Sequence, residues 1–225
     1  MNRTPTVLAV GLVDGERIAG TTGIDVSWQR LGVRAPGNGR TFRAVFGRSD
    51  ETFRRLDCIS RALVLATTAA GIETVLPANA RDDTALVVET MLGSLDSDLA
   101  FAASMGTGMC DGPIFPYTLP STSLGEVALR HGLRGPSVCL SVGPGTAGAA
   151  LAEAEAMFAS GEATFALVAT VDVLERAVPH ADSACRAIAV LLAHPRLGLT
   201  SKARWPGHGA GAFAELAGSV ARTSR

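Results

Sequence analysis

The chain has 225 residues, a formal net charge of -1, 47% hydrophobic and 18% charged residues. That length gives ample apolar surface for one large domain or two small ones, and the composition excludes a disordered chain. Near-neutral charge, with Lys202 the only lysine, lacks the concentrated positive surface of a nucleic-acid binder.

Mean hydropathy is +0.27, yet no apolar run nears the ~20 residues of a membrane-spanning helix. Val7–Val13 behind Arg3 has the character of a signal-peptide core, but Asp14, Glu16 and Arg17 follow at once, without a cleavage site. The reading is cytoplasmic, with neither a membrane span nor a nucleic-acid partner.

In chain order, Thr6–Val13 is a short apolar run closed by Asp14-Gly15 and reads as a buried strand. Residues 14–48 read as loop with short extended pieces. Phe53 to Ala70 carries Ile59, Leu63, Ala66 and Ala70 at helical spacing, with Asp50 as N-cap and Gly71 just past the end. Thr84–Glu89 is a second strand. Leu95–Met105 reads as a helix, 105–120 as irregular, and Ser121–His131 as a helix broken by Gly135-Pro136. Ser137–Val142 is a third strand, Gly145–Ser160 a helix ended by Gly161, Thr164–Val171 a fourth strand and Ala187–Ala193 a fifth. The Gly207–Gly211 segment and the apolar stretch after it are assigned one more strand. Apolar strands alternating with helices predict an α/β fold with a mixed, mostly parallel sheet flanked by helices. The helix from Gly145 to Ser160 holds seven Ala and only Glu153 and Glu155 as charges, which suits close burial.

Cys58, Cys110, Cys139 and Cys185 are widely spaced without a CxxC, and His131, His180, His194 and His208 form no HExxH and pair with no Cys. Neither a disulfide scaffold nor a metal site is expected. Asp57, Asp96 and Asp98 lie near helix starts and read as caps or dipole partners.

The informative segment is Ser137-Val-Cys-Leu-Ser-Val-Gly143-Pro144-Gly145-Thr-Ala-Gly148, a strand, a tight turn and a helix. It contains GxGxxG, and the next strand ends near Asp172. A dinucleotide site on Gly143, Gly145 and Gly148 would put pyrophosphate on the helix N-terminus and an acid on the ribose. Against this, Pro144 removes one N–H from the turn, and the unit lies deep in the chain.

A second reading starts from order and spacing. Gly132-Leu-Arg-Gly-Pro-Ser137, the Ala-rich helix, Gly161-Glu-Ala163 and Ala169-Thr-Val-Asp172 resemble the N-terminal half of a β-ketoacyl synthase. Leu56–Leu63 resembles that family's first long helix, and Ala85–Gly93 its next strand and turn. The resemblance spans 53 to 193, with Thr6–Val13 as a first strand. It implies a thiolase-like half, with residues 1–197 as the ketosynthase N-terminal-like domain and 198–225 as a tail.

The family's nucleophilic Cys falls on Pro144, which has neither a thiol for an acyl-enzyme nor an N–H for an oxyanion hole. The resemblance therefore implies no catalytic residue and no cofactor. It places Phe115 and Tyr117 in the acyl-pocket and dimer-contact loop, with Cys139 and Pro144 as further pocket or interface residues. It also implies that the family's catalytic histidines belong to a second half. His208 in Gly207-His-Gly-Ala-Gly211 resembles a Gly-flanked histidine but reads as an exposed tail residue.

Three functions follow. The first is a non-catalytic, chain-length-factor-like subunit of fatty-acid or polyketide/polyene biosynthesis. Its partners would be a full-length ketosynthase or a second copy, together with an acyl carrier protein. The second is a dinucleotide-binding protein. The third is an acyltransferase using another nucleophile, such as Thr146 or Ser141. Half of a two-lobed fold is also expected to leave an apolar helix layer uncovered, which calls for a partner.

Overall fold

The computed structural model describes residues 4–38, 40–175 and 184–223. The chain opens with a hairpin. Strand β1 (Thr6–Val13) turns through Asp14, whose carboxylate accepts the Glu16 and Arg17 amides, into β2 (Arg17–Gly20). β3 (Asp25–Ser27) follows, then α1 (Trp28–Leu31), capped by the Ser27 side chain, and α2 (Thr41–Phe46). These short elements occupy the stretch read as loop from sequence.

Helix α3 (Cys58–Ala70) starts later than its apolar spacing predicts. Its N-cap is Asp57, which accepts the Ser60 amide. Asp50 instead accepts the Thr52 and Phe53 amides and so organises the single 3-10 turn Phe53–Arg55. Gly71 ends α3 at φ 77°, a left-handed conformation that glycine adopts without steric cost. Then come α4 (Ile72–Val75), β4 (Thr84–Thr90), α5 (Leu95–Gly106), α6 (Ser121–His131), β5 (Ser137–Ser141), α7 (Ala149–Ser160), β6 (Phe165–Leu174), β7 (Ala184–Ala193) and α8 (Ala212–Thr223).

The strands form one seven-stranded sheet in the order β3-β2-β1-β7-β6-β4-β5. It is mixed, as expected, but not mostly parallel. β4 runs parallel to β5 and β6, while the β6–β7, β7–β1, β1–β2 and β2–β3 pairings are antiparallel. The reason lies in the connections. Helices α5 and α6 separate β4 from β5, and α7 separates β5 from β6, so those strands return in parallel. The link from β6 to β7 is too short for a helical crossover, which needs about a dozen residues, so β7 doubles back.

Both faces of the sheet are covered. On one, α3 lies across β1, β2 and β7 so closely that a Cβ on Gly11 would fall inside the Ala66 carbonyl oxygen and 2.6 Å from the Ala70 amide nitrogen. Cys58–Val75 is long and apolar enough on composition to cross a membrane, but 67% of it is buried as this core. On the other face, Ala150, Leu151, Ala154, Met157 and Phe158 of α7 join Phe213, Leu216 and Val220 of α8 over the sheet.

One expectation changes here. The apolar stretch after Gly211 is a helix rather than a strand, because Phe213, Leu216 and Val220 repeat at helical spacing and bury together. In the same tail, Ala203 makes an isolated bridge to Val7. Helix α8 packs on β1, β2 and β7 beside α7, so it extends the cover on the sheet, while Ala156 and Ala159 on the outer side of α7 stay exposed. The exposed large apolar side chains gather elsewhere, on α5, the Phe115–Thr118 turn and α6.

Candidate functional site

The site is built where the carboxyl ends of the parallel strands β5, β4 and β6 meet the head of α7. β5 delivers the chain into a turn locked by Thr146, whose hydroxyl accepts the Gly143 amide at 2.9 Å while its own amide donates to the Gly143 carbonyl at 3.0 Å. Helix α7 begins only at Ala149, with Gly148 as N-cap at φ 94°. Pro144 therefore lies four residues before the N-cap. It is exposed on the turn that precedes the helix. Gly148 is required twice over, because a Cβ there would also lie 2.8 Å from the Gly209 carbonyl oxygen. The Gly-rich tail thus packs on this turn through its backbone, while the His208 Nδ1 lies 3.7 Å from Glu155.

Glu89, which sequence reasoning passed over, occupies the centre of this arrangement. It is 1% exposed, and its carboxylate accepts the Gly148 amide at 2.9 and 3.1 Å and the Ala150 amide at 2.9 Å. Burial raises its pKa, the two amides oppose that rise, and the nearby Asp172 adds to it. Asp172 anchors the neighbouring loop, its Oδ1 accepting from the Thr90 hydroxyl and from the Met91 and Leu92 amides. The signal for Glu89 was a lone acid inside the apolar run Thr84–Thr90. A pyrophosphate on Gly143, Gly145 and Gly148 would need the amides that Glu89 holds, and a ribose would need the carboxylate that Asp172 has committed.

Three of the four thiols are buried or half-buried and held protonated, while Cys110 is exposed on the loop after α5. Cys139 is half-buried in mid-strand, and burial pushes its thiol up. Cys185 is pushed up to about 12, chiefly by burial. Cys58 is also raised, by burial and by the carboxylates of Asp57, Asp96 and Glu175. The ligand atoms of Cys58, Asp96 and Glu175 lie within 4.8 Å of one another, but the thiol donates to Asp96 at 3.6 Å, so a hydrogen-bonded cluster accounts for the contact. His180 lies outside the described residues. Buried His131 lies between α3 and α6, its Nε2 3.0 Å from the Thr67 hydroxyl.

Phe115 and Tyr117 lie on a 3-10 turn. Phe115 is 60% exposed and stacks obliquely on Phe101 at 5.4 Å, while Tyr117 donates to Glu126 at 3.4 Å. Phe115 is exposed, as are Leu99, Met105, Met109, Leu119 and Leu129 on neighbouring elements, and α6 packs beside β5, an edge strand of the sheet. Elsewhere, a cleft of about 940 Å³ is lined by Arg40, Arg43, Arg54, Arg55 and Glu51. Asp50 at its edge is claimed by Arg130 at 2.7 Å. Burial opposes ionisation of Asp50, but the Thr52 hydroxyl and Arg130 hold its pKa below the ordinary carboxylate value.

Residues 26–191 match the family model described as β-ketoacyl synthase, N-terminal domain. The chain belongs to the β-ketoacyl synthase family. The fold of this ketosynthase-family chain is similar to that of a structure titled the ishigamide ketosynthase/chain length factor. The TM-score is 0.67 at 17% identity, over 86% of this chain and 63% of that one. A type II polyketide synthase acyl-carrier protein in complex with its ketosynthase gives TM-score 0.62 at 15% identity, over 88% and 64%. A ketosynthase in complex with its chain length factor from Xenorhabdus doucetiae gives TM-score 0.56 at 15% identity, over 86% and 80%. The chain thus spans slightly less than two thirds of the first two. No curated protein matches it.

Proposed function

We propose that the chain is a non-catalytic ketosynthase-like subunit in fatty-acid or polyketide/polyene biosynthesis. It pairs with an active ketosynthase and shapes that partner's acyl pocket. The observation that carries this reading is the turn at the head of α7, where the family's nucleophile position holds Pro144 and the amides behind it are bonded to Glu89. Pro144 offers no nucleophile there, and the Thr146 hydroxyl is engaged with the Gly143 backbone, while the layers around the turn are intact.

Two surfaces support the pairing. The outer edge of β5 with the apolar side chains of α5, the 115–118 turn and α6 offers a protein partner both unpaired backbone and apolar area. The arginine cleft suits the phosphodiester and acidic surface of an acyl carrier protein, because four guanidinium groups there face only Glu51 once Arg130 has neutralised Asp50. Such a subunit works in the cytoplasm beside its ketosynthase.

The test is co-expression of the chain with a full-length, active ketosynthase from the same genome. A stable complex that extends acyl chains, with no turnover by this subunit alone, is the expected result. A homodimer that ignores the ketosynthase, or that turns over acyl thioesters by itself, overturns the reading.

A further inference from the structure

Buried carboxylates usually answer a cation. Glu89 answers none among the described residues, and its oxygens take backbone amides at the head of a twelve-residue helix. Those amides carry the positive end of the α7 dipole, the feature that draws external anions to helix N-termini in other folds. They also sit at the carboxyl ends of parallel strands, where open α/β sheets receive ligands.

We infer that the Glu89 carboxylate is an internal anion: it fills the position at the head of α7 that an external carboxylate or oxyanion would otherwise take. The contact is complete in hydrogen-bond terms, with three distances between 2.9 and 3.1 Å. It is sealed, since Glu89 is 1% exposed and the Gly209 carbonyl closes over Gly148. It is tethered, so no external anion at ordinary concentration displaces it. The inference is independent of which partner the chain takes, and it adds a reason for chemical silence at this turn that does not depend on Pro144.

The experiment is chemical rescue. Glu89→Ala removes the acid and leaves a carboxylate-sized space facing the Gly148 and Ala150 amides. The melting temperature of the purified full chain is measured against sodium acetate, with sodium chloride at equal ionic strength and neutral acetamide as controls. Glu89→Ala is expected to melt several degrees below the parent, and acetate to restore most of that loss saturably. Acetamide restores little, and the parent does not respond. A variant indifferent to acetate, a parent that responds equally, or equal rescue by acetamide each overturns the inference. Should Glu89→Ala fail to fold, Glu89→Gln keeps the shape with one acceptor oxygen and no charge. It is expected to melt below the parent without acetate rescue, and a Glu89→Gln chain as stable as the parent overturns the inference.

Discussion

Phe213→Ala tests whether the C-terminal tail is part of the core. Phe213 is 6% exposed and lies on α8 with Leu216 and Val220 against the same cluster as Ala150, Leu151 and Met157 of α7. Deleting a buried phenyl ring costs about 3 to 5 kcal/mol through lost transfer energy and the cavity left behind. The cost depends on how far the site collapses, and the lower figure, about 3 kcal/mol, is the expected one. For a chain of this size each kcal/mol shifts the melting temperature by about 2 to 4 °C, giving a fall of roughly 6 to 12 °C. The assay is thermal unfolding by near-ultraviolet circular dichroism. Ala214→Ser, an exposed change on the same helix, serves as the control. Binding of a hydrophobic dye should rise with the same variant, because the α7 face is then loosely covered. A Phe213→Ala chain that melts with the control would mean that α8 is an appendage and that the sheet face beneath it needs no cover.

Three further outcomes follow from the packing and the buried charges. Gly11→Ala drives a methyl into the backbone of α3 at Ala66 and Ala70, which cannot yield as a flexible side chain would. It is expected to cost about 3 kcal/mol or more, read as a lower denaturation midpoint at unchanged slope. His131 is buried and neutral, with its pKa depressed to about 4, chiefly by burial. Between its unfolded value near 6.5 and about 4, the unfolded chain binds a proton that the folded chain refuses. Stability is therefore fully present above pH 6.5 and lost as pH falls towards 4, by up to about 3 kcal/mol, and His131→Gln should flatten that slope in denaturant titrations. Phe115→Asp with Leu129→Asp, both on the exposed apolar surface, should leave melting within about 2 °C of the parent yet abolish recovery of the co-expressed ketosynthase.

The strands and helices whose apolar period is unbroken were legible in the sequence. Thr6–Val13 and Ser121–His131 form elements with those same bounds, and Gly71 and Gly161 end helices as their positions suggest. What escaped was decided by groups distant in the chain. Helix α7 starts at Ala149 rather than Gly145 because Glu89, on another strand, takes the Gly148 and Ala150 amides. The antiparallel course of β7 follows from a connection length and from pairing with β1, the first strand of the chain. The tail helix hid behind Gly207–Gly211, glycines whose role appears only when Gly209 is seen against Gly148. At the site, the sequence showed a proline, Pro144, in the turn that leads into α7. The role of the carboxylate behind it could not be read, since an acid within an apolar strand acquires meaning only from what its oxygens touch.

On the proposed function, the turn between β5 and α7 carries no acyl group. Intact-mass spectrometry of the purified chain, after incubation with acyl and malonyl carrier-protein thioesters, measures it directly. An unchanged mass, while the co-purified ketosynthase gains an acyl adduct, is the expected result. A covalent acyl adduct on the isolated chain, mapped by fragmentation to residues 137–148, would contradict it.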